Sequence, residues 1–228
     1  MKFGVIVFPG SNCDRDMQFA LSNDLKAEVE MIWHKDAALN NFSTEDCIVL
    51  PGGFSYGDYL RCGALARFSP IMQSVVNHAN NGGKVFGVCN GFQILCEAGL
   101  LPGALLMNEN QKFICKNVYI KAEKNDSLIT KNIENKALQI PIAHGEGRFF
   151  AKPELLNDIE NNNQVIFRYC NENGEVNVQY NPNGTLNEIA GICNNTRNVF
   201  GMMPHPERAS NSILGNIDGQ MILKNLMN

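Results

Sequence analysis

Lys84-Val85-Phe86-Gly87-Val88-Cys89-Asn90-Gly91-Phe92-Gln93 is the stretch on which the reading of this chain turns. The apolar run Val85–Val88 has the composition of a buried strand, and the residues from Asn90 onward suit a helix. One cysteine stands at the corner, with Gly87 two residues before it and Gly91 two residues after it. The G-x-C-x-G spacing is that of a nucleophile elbow, with a thiol in place of the serine. Such a corner is crowded, and a Cβ at either glycine would meet the neighbouring strand or helix. The cysteine opens a helix, where free backbone N–H groups and the helix dipole favour a thiolate. A buried cysteine that merely closes a strand fits the same ten residues.

Upstream, strand and helix patterns alternate. Phe3–Phe8 reads as a buried strand ended by Pro9-Gly10, followed by a helix from Asp14 to about Lys26 capped by Ser11 or Asn12. Strands are expected at Glu28–Trp33 and Asp46–Leu50, the second ended by Pro51-Gly52-Gly53. Ser69 and Pro70 open a helix with Ile71, Met72, Val75, Val76 and Ala79 on one face, stopped by Gly82-Gly83. This alternation implies a parallel sheet wrapped by helices, whose reactive groups gather at the carboxyl ends of the strands. The loops Pro9–Asn12 and Pro51–Asp58 and the Cys89 corner all occupy that end.

Downstream the pattern changes. Lys112–Ala122 and Ala137–Ile142 read as strands and Pro153–Glu160 as a short helix. Strands are then expected at Val165–Tyr169, Glu175–Tyr180, Glu188–Cys193 and Val199–Met203, separated by turns such as Asn173-Gly174. Their short spacing implies antiparallel pairing, with some extending the main sheet. An amphipathic helix from Gly215 to Met227, carrying Met221, Ile222 and Leu226, closes the chain. The fold class is therefore α/β: a mostly parallel, helix-flanked central sheet with antiparallel additions in the second half. No linker or repeat interrupts it, so one domain over residues 1–228 is expected.

Composition narrows the function. Of 228 residues 44% are hydrophobic, and the net charge of −4 comes with no basic run, which argues against nucleic acid or an anionic membrane as partner. No apolar stretch is long enough to span a bilayer, and no signal peptide is recognisable. The eight cysteines show no C-x-x-C pair, so neither a zinc site nor a disulfide framework is indicated. A reduced, cytoplasmic setting follows as the expectation.

A thiol nucleophile needs a base, and the base needs an orienting group. Only four histidines are available: His34, His78, His144 and His205. His78 falls in a helix and is expected to be solvated or helix-terminal, and His34 ends a strand where a loop role is expected. His205 lies in Met203-Pro204-His205-Pro206-Glu207, where flanking prolines stiffen the loop and Glu207 is placed to accept the second imidazole N–H. A rigid surface turn would share that pattern. Gly52 and Gly53 let backbone N–H groups face a site unobstructed, so the amides of Gly53 and Asn90 are candidates for an oxyanion hole. A phosphate-binding loop is the competing reading, although no G-x-x-x-x-G-K-[ST] occurs.

The order P-G-G, G-x-C-x-G-x-Q, then a distant H-P-E resembles the class I (triad) glutamine amidotransferases. Phe8–Asp14, Pro51–Arg61, Gly87–Gln93, Ala143–Arg148 and Met203–Arg208 extend the likeness from end to end. Within that family they resemble glutaminase subunits that serve purine biosynthesis. The resemblance implies Cys89, His205 and Glu207 as catalytic residues, with Gln93, Gly52 and the His144-Gly145-Glu146 backbone as glutamine contacts. Asn12, Ser55, Tyr56 and Arg61 are candidates for closing the site or meeting a partner.

The resemblance also implies partners. Ammonia released here would feed the ATP-dependent conversion of formylglycinamide ribonucleotide to its amidine. The chain shows no nucleotide motif of its own and no cofactor or metal site is expected on it, so ATP and magnesium are expected on a separate synthetase subunit, joined by a small accessory subunit. The competing readings are a stand-alone Cys-His hydrolase, of the γ-glutamyl hydrolase or peptidase kind, and a non-catalytic binding module.

Overall fold

The computed structural model describes residues 1–123, 127–133 and 136–228. Strand β1 (Phe3–Val7) is nearly all buried, as an unbroken apolar run covered on both faces must be. It pairs in parallel with β2 (Val29–Trp33) and with β3 (Cys47–Leu50). β3 pairs in parallel with β4 (Lys84–Val88), setting Leu50 opposite Gly87. Helices α1 (Asp14–Phe19) and α2 (Pro70–Asn80) make the crossovers, and α3 (Asn90–Glu97) leaves the end of β4. α1 is prolonged by a wider π turn, Ala20–Asp24, and Lys26 at φ 58° lies beyond it, so the helix is shorter than expected. Its N-cap position is Cys13, without a side-chain bond; Ser11 Oγ accepts from the Phe8 N–H instead.

The second half contributes β6 (Ile114–Ala122), β7 (Ala137–His144), β9 (Val165–Cys170), β10 (Ile189–Cys193) and β11 (Val199–Met202) to the same sheet. Among the described residues the sheet has nine strands, in the order β2-β1-β3-β4-β11-β10-β9-β6-β7. β6, β7, β9 and β10 are antiparallel to their neighbours, as expected. β11 corrects the expectation: it is antiparallel to β10 but parallel to β4, with Met202 opposite Val88. This single strand fuses the two halves and sends its following loop to the same sheet end as the Cys89 corner.

Three other expectations need correction. Glu175–Tyr180 is a loop ending in a 3₁₀ turn, Val178–Tyr180, rather than a strand. The Asn171 side chain accepts from the N–H groups of Asn173 and Glu175, and Asn177 from that of Gln179. Those local bonds use the donors that a ladder would need. The last helix, α5 (Gly219–Asn225), starts later than Gly215, because Gly215 at φ 80° closes a separate 3₁₀ turn. His78 lies in the last turn of α2 but is buried rather than solvated, and that burial lowers its pKa. A small ribbon of β5 (Ala104–Leu106) with β8 (Arg148–Phe150), absent from the sequence reading, lies outside the main sheet, as does α4 (Pro153–Asn161).

The antiparallel half curls. The His205 N–H donates to the Pro141 carbonyl at 2.8 Å, although β10, β9 and β6 separate β11 from β7 in the ladder. In a flat sheet four strand spacings would hold them roughly 19 Å apart. β7 therefore folds back over the carboxyl end of the parallel half and forms the far wall of the site. As the edge strand, β7 tolerates Pro141, which lacks a ladder donor. Its residues alternate between half-buried and buried, as a curled layer with one covered face should. Among the described residues no helix is long and apolar enough to cross a membrane.

Candidate active site

At the turn between β4 and α3, Cys89 takes φ 50° and ψ −107°, a region L-residues avoid. Such strain costs about 1–3 kcal/mol and persists only where the surroundings over-determine it. Here they do: a Cβ on Gly91 would lie 1.9 Å from the Leu50 carbonyl oxygen, and one on Gly87 2.7 Å from the Gly91 backbone. The Cys89 N–H donates to the Met202 carbonyl at 2.8 Å, and the Cys89 carbonyl accepts from the Gln93 N–H at 3.1 Å. The elbow is thus pinned to the end of β11 on one side and starts α3 on the other.

β11 delivers His205. Its Nδ1 donates to Glu207 Oε1 at 2.7 Å, and both side chains are almost wholly buried. Burial opposes a charge on His205, but the Glu207 carboxylate and then Cys89 outweigh it and hold the imidazole pKa well above its ordinary value. Among the described residues Nε2 meets no protein acceptor at hydrogen-bonding geometry, yet the Cys89 and Cys13 sulfurs both lie close enough to add to that shift. Gly52 fixes the scale: a Cβ there would lie 2.6 Å from His205 Cε1, 3.3 Å from Cys13 Sγ and 3.4 Å from Cys89 Cβ. Only a glycine leaves room where these groups converge.

Gly53, at φ 134°, lies against the backbone of Ser11 and Asn12, so the loops after β1 and β3 are in contact. Among the described residues neither its N–H nor that of Asn90 donates to a protein acceptor. The Asn90 side chain is committed: its Oδ1 accepts from the Ser55 N–H at 3.1 Å and its Nδ2 donates to Gln93 Oε1 at 2.9 Å. Gln93 Nε2 donates to the Glu146 carbonyl at 2.6 Å. Gln93 therefore ties the loop after β7 to the elbow helix.

His144 ends β7, and the loop carries Gly145 and Glu146. Asn108, which the sequence reading missed, anchors it: its N–H donates to the Gly145 carbonyl, its Nδ2 to the His144 carbonyl, and its Oδ1 accepts from the Gly147 N–H and His144 Nδ1. Burial, helped by the nearby His205, lowers the His144 pKa to about 4. The Ala143 carbonyl faces Cys89 Sγ at 3.7 Å. Glu146 Oε2 accepts from the Cys62 N–H at 3.4 Å.

The four outlying candidates divide. Asn12 and Ser55 border the site, and Ser55 Oγ is buried without a partner among the described residues. Tyr56 faces inward to the fold, its hydroxyl bonded to His34 Nδ1 and Ser69 Oγ at 2.8 Å each. Arg61 is exposed and grips Glu97 through two bonds of 2.7 Å. Cys13 and Arg208 were not singled out although both lie inside quoted motifs. Arg208 reaches Asp16 Oδ2 at 3.2 Å and Cys13 Sγ at 3.1 Å. Cys13 Sγ, a His205 ring nitrogen and a Glu207 oxygen all lie within 4.8 Å of one another.

A strained thiol, a carboxylate-paired imidazole and two free amides at one sheet end suit acyl transfer from an amide. Over residues 1–223 the chain matches the family described as the CobB/CobQ-like glutamine amidotransferase domain. The phosphoribosylformylglycinamidine synthase subunit PurQ of Nostoc sp. is 53% identical over 228 residues, covering 100% of this chain and 97% of that protein. The same subunit of Moorella thermoacetica is 52% identical, covering 100% of this chain and 95% of that one. A chain in the solved structure of PurLQS from Thermotoga maritima superposes with a TM-score of 0.85 at 41% identity, covering 100% of this chain and 97% of its own. At 12% identity, a putative GMP synthase subunit from Thermoplasma acidophilum shares the fold with a TM-score of 0.61. The chain belongs to the glutamine amidotransferases. Within them its family is PurQ, the subunit of phosphoribosylformylglycinamidine synthase.

Proposed function

We propose that this chain is the glutaminase of a phosphoribosylformylglycinamidine synthase in purine biosynthesis, hydrolysing glutamine through a Cys89 thioester and passing ammonia to a synthetase subunit. The observation that carries the catalytic part is the parallel pairing of β4 with β11, which brings Cys89 and the His205–Glu207 pair to one sheet end. Cys89 attacks the side-chain amide carbon of glutamine. The developing oxyanion is met by the Gly53 and Asn90 amides, each worth roughly 2.7–4 kcal/mol in comparable sites. His205, held protonated by Glu207, hands a proton to the leaving ammonia and then, as a neutral base, activates water against the thioester. Glu207 fixes the proton-bearing nitrogen as Nδ1 and stabilises the imidazolium. Gln93, Gly52 and the His144-Gly145-Glu146 loop line the glutamine side of the site.

Ammonia is largely protonated near neutral pH and loses nucleophilicity, so a sheltered route to the acceptor is required. The synthetase subunit binds ATP, magnesium and formylglycinamide ribonucleotide, with a small accessory subunit completing a cytoplasmic assembly. Exposed apolar side chains near the site suit a face that a partner covers: Tyr59, Leu60, and Phe54 stacked on Phe113.

The test supplies the assembled synthase with either glutamine or an ammonium salt, using wild-type chain or Cys89→Ala. Cys89→Ala is expected to abolish glutamine-dependent synthesis and leave ammonia-dependent synthesis intact. Unchanged glutamine-dependent synthesis would remove Cys89 from catalysis. Glutamine cleavage by the wild-type chain without any ammonia transfer in the assembly would point to a stand-alone hydrolase.

A further inference from the structure

The site holds a second thiol that the glutaminase chemistry does not use. Cys13 starts α1 at the carboxyl end of β1, its N–H donating to the Gly52 carbonyl at 3.4 Å. Its sulfur and Cys89 Cβ flank the same point above Gly52, at 3.3 Å and 3.4 Å, and both sulfurs act on His205. The Arg208 guanidinium donates to Cys13 Sγ at 3.1 Å and holds that side chain against the site. Away from the site, burial raises the thiol pKa of Cys47 to about 12 and of Cys170 and Cys193 to about 11, with Cys62 and Cys96 also raised.

We propose that Cys13 is a resolving cysteine: a small peroxide oxidises Cys89, and Cys13 captures the product as a reversible Cys13–Cys89 disulfide that switches the glutaminase off. The proposal rests on Cys89 being the nucleophile. The Cys89 thiolate attacks one peroxide oxygen, the O–O bond breaks, and the departing hydroxide takes the His205 proton and leaves as water. Cys89 is then a sulfenic acid. The neutral imidazole removes the Cys13 proton, and the Cys13 thiolate attacks the Cys89 sulfur. The S–O bond breaks and the second hydroxide recovers the proton from His205, again as water. The sum is two thiols and one peroxide giving one disulfide and two waters. Without Cys13 the sulfenic acid would advance to the sulfinic acid, which thiols do not reduce.

The experiment treats the assembled synthase with hydrogen peroxide, then maps cysteine peptides by mass spectrometry before and after dithiothreitol. The expected result is a peptide pair joining Cys13 to Cys89, lighter by two hydrogens, loss of two titratable thiols per chain, and recovery of glutamine-dependent synthesis on reduction. Cys13→Ser, or Cys13→Ala if the first folds poorly, is expected to turn the same dose into irreversible loss with two added oxygens on Cys89. Glutamine is expected to protect the wild type. Oxygen addition at Cys89 with Cys13 still alkylatable in the wild type would overturn the proposal, as would equal recovery in the Cys13 variants. Cys89→Ala activity reports on the nucleophile separately, so failure of the disulfide is distinguishable from failure of the glutaminase reading.

Discussion

The loops after β4 and β11 lie side by side at one sheet end, yet they are positioned by opposite means. The β4 loop is set by backbone: Cys89 sits in a strained conformation that glycines at 87 and 91 permit and that bonds to Met202 and Gln93 enforce. The β11 loop is set largely by side chains: a buried imidazole–carboxylate pair, with main-chain ties from Met203 to Ala190 and from His205 to Pro141. The nucleophile is therefore sensitive to sterics and the base to charge. Substitutions should separate the two.

The largest effect is expected from Gly91→Ala. A methyl group 1.9 Å from a carbonyl oxygen forces the β4–α3 crossing apart, and a stability loss above about 4 kcal/mol is expected in urea unfolding. A wild-type midpoint in that variant would show that the elbow is not sterically set. His205→Gln comes next: the fold should survive, while kcat for glutamine falls roughly 10²–10⁴-fold. Glu207→Gln should cost less than that in the same assay, roughly tenfold less, because orienting a base contributes less than being one. Equal losses would mean that the pair acts as one unit.

Smaller effects test the wall built by β7. Gln93→Ala leaves the Glu146 carbonyl without its donor, at a cost of about 1–3 kcal/mol, and should appear mainly as a raised KM for glutamine. The His144 effect is absent at neutral pH. Its folded pKa of about 4 lies below the unfolded value of 6.5, so between those values the unfolded chain binds the extra proton. Stability should therefore fall as pH drops from 6.5 to 4, by an amount on the order of 3 kcal/mol. His144→Gln should flatten that slope in unfolding measurements across the range.

The same contrast explains what the sequence revealed. The elbow and the parallel strands were legible because local rules govern them: Gly87, Cys89 and Gly91 sit at fixed spacing, and β1, β3 and β4 from Val85 onward are apolar runs. The 175–180 segment misled because its alternating pattern concealed asparagines that bond their own backbone. β11 looked like its antiparallel neighbours, since strand direction is set by a crossover that local residues do not encode. Asn108 and Arg208 were missed for a related reason: their partners, His144 and Cys13, are distant in sequence. Gln93 and Glu146 came from family likeness, and their mutual bond appears only in three dimensions.

With only four histidines, ring-nitrogen NMR against pH tests the central claim most directly: that Cys89 and His205 share one site. In the wild type His205 should stay protonated well above the ordinary imidazole range while the other three titrate lower. Its titration should fall in Cys89→Ser and further in Glu207→Gln. A His205 titration unmoved by Cys89→Ser would mean that sulfur and imidazole do not meet, contradicting the account.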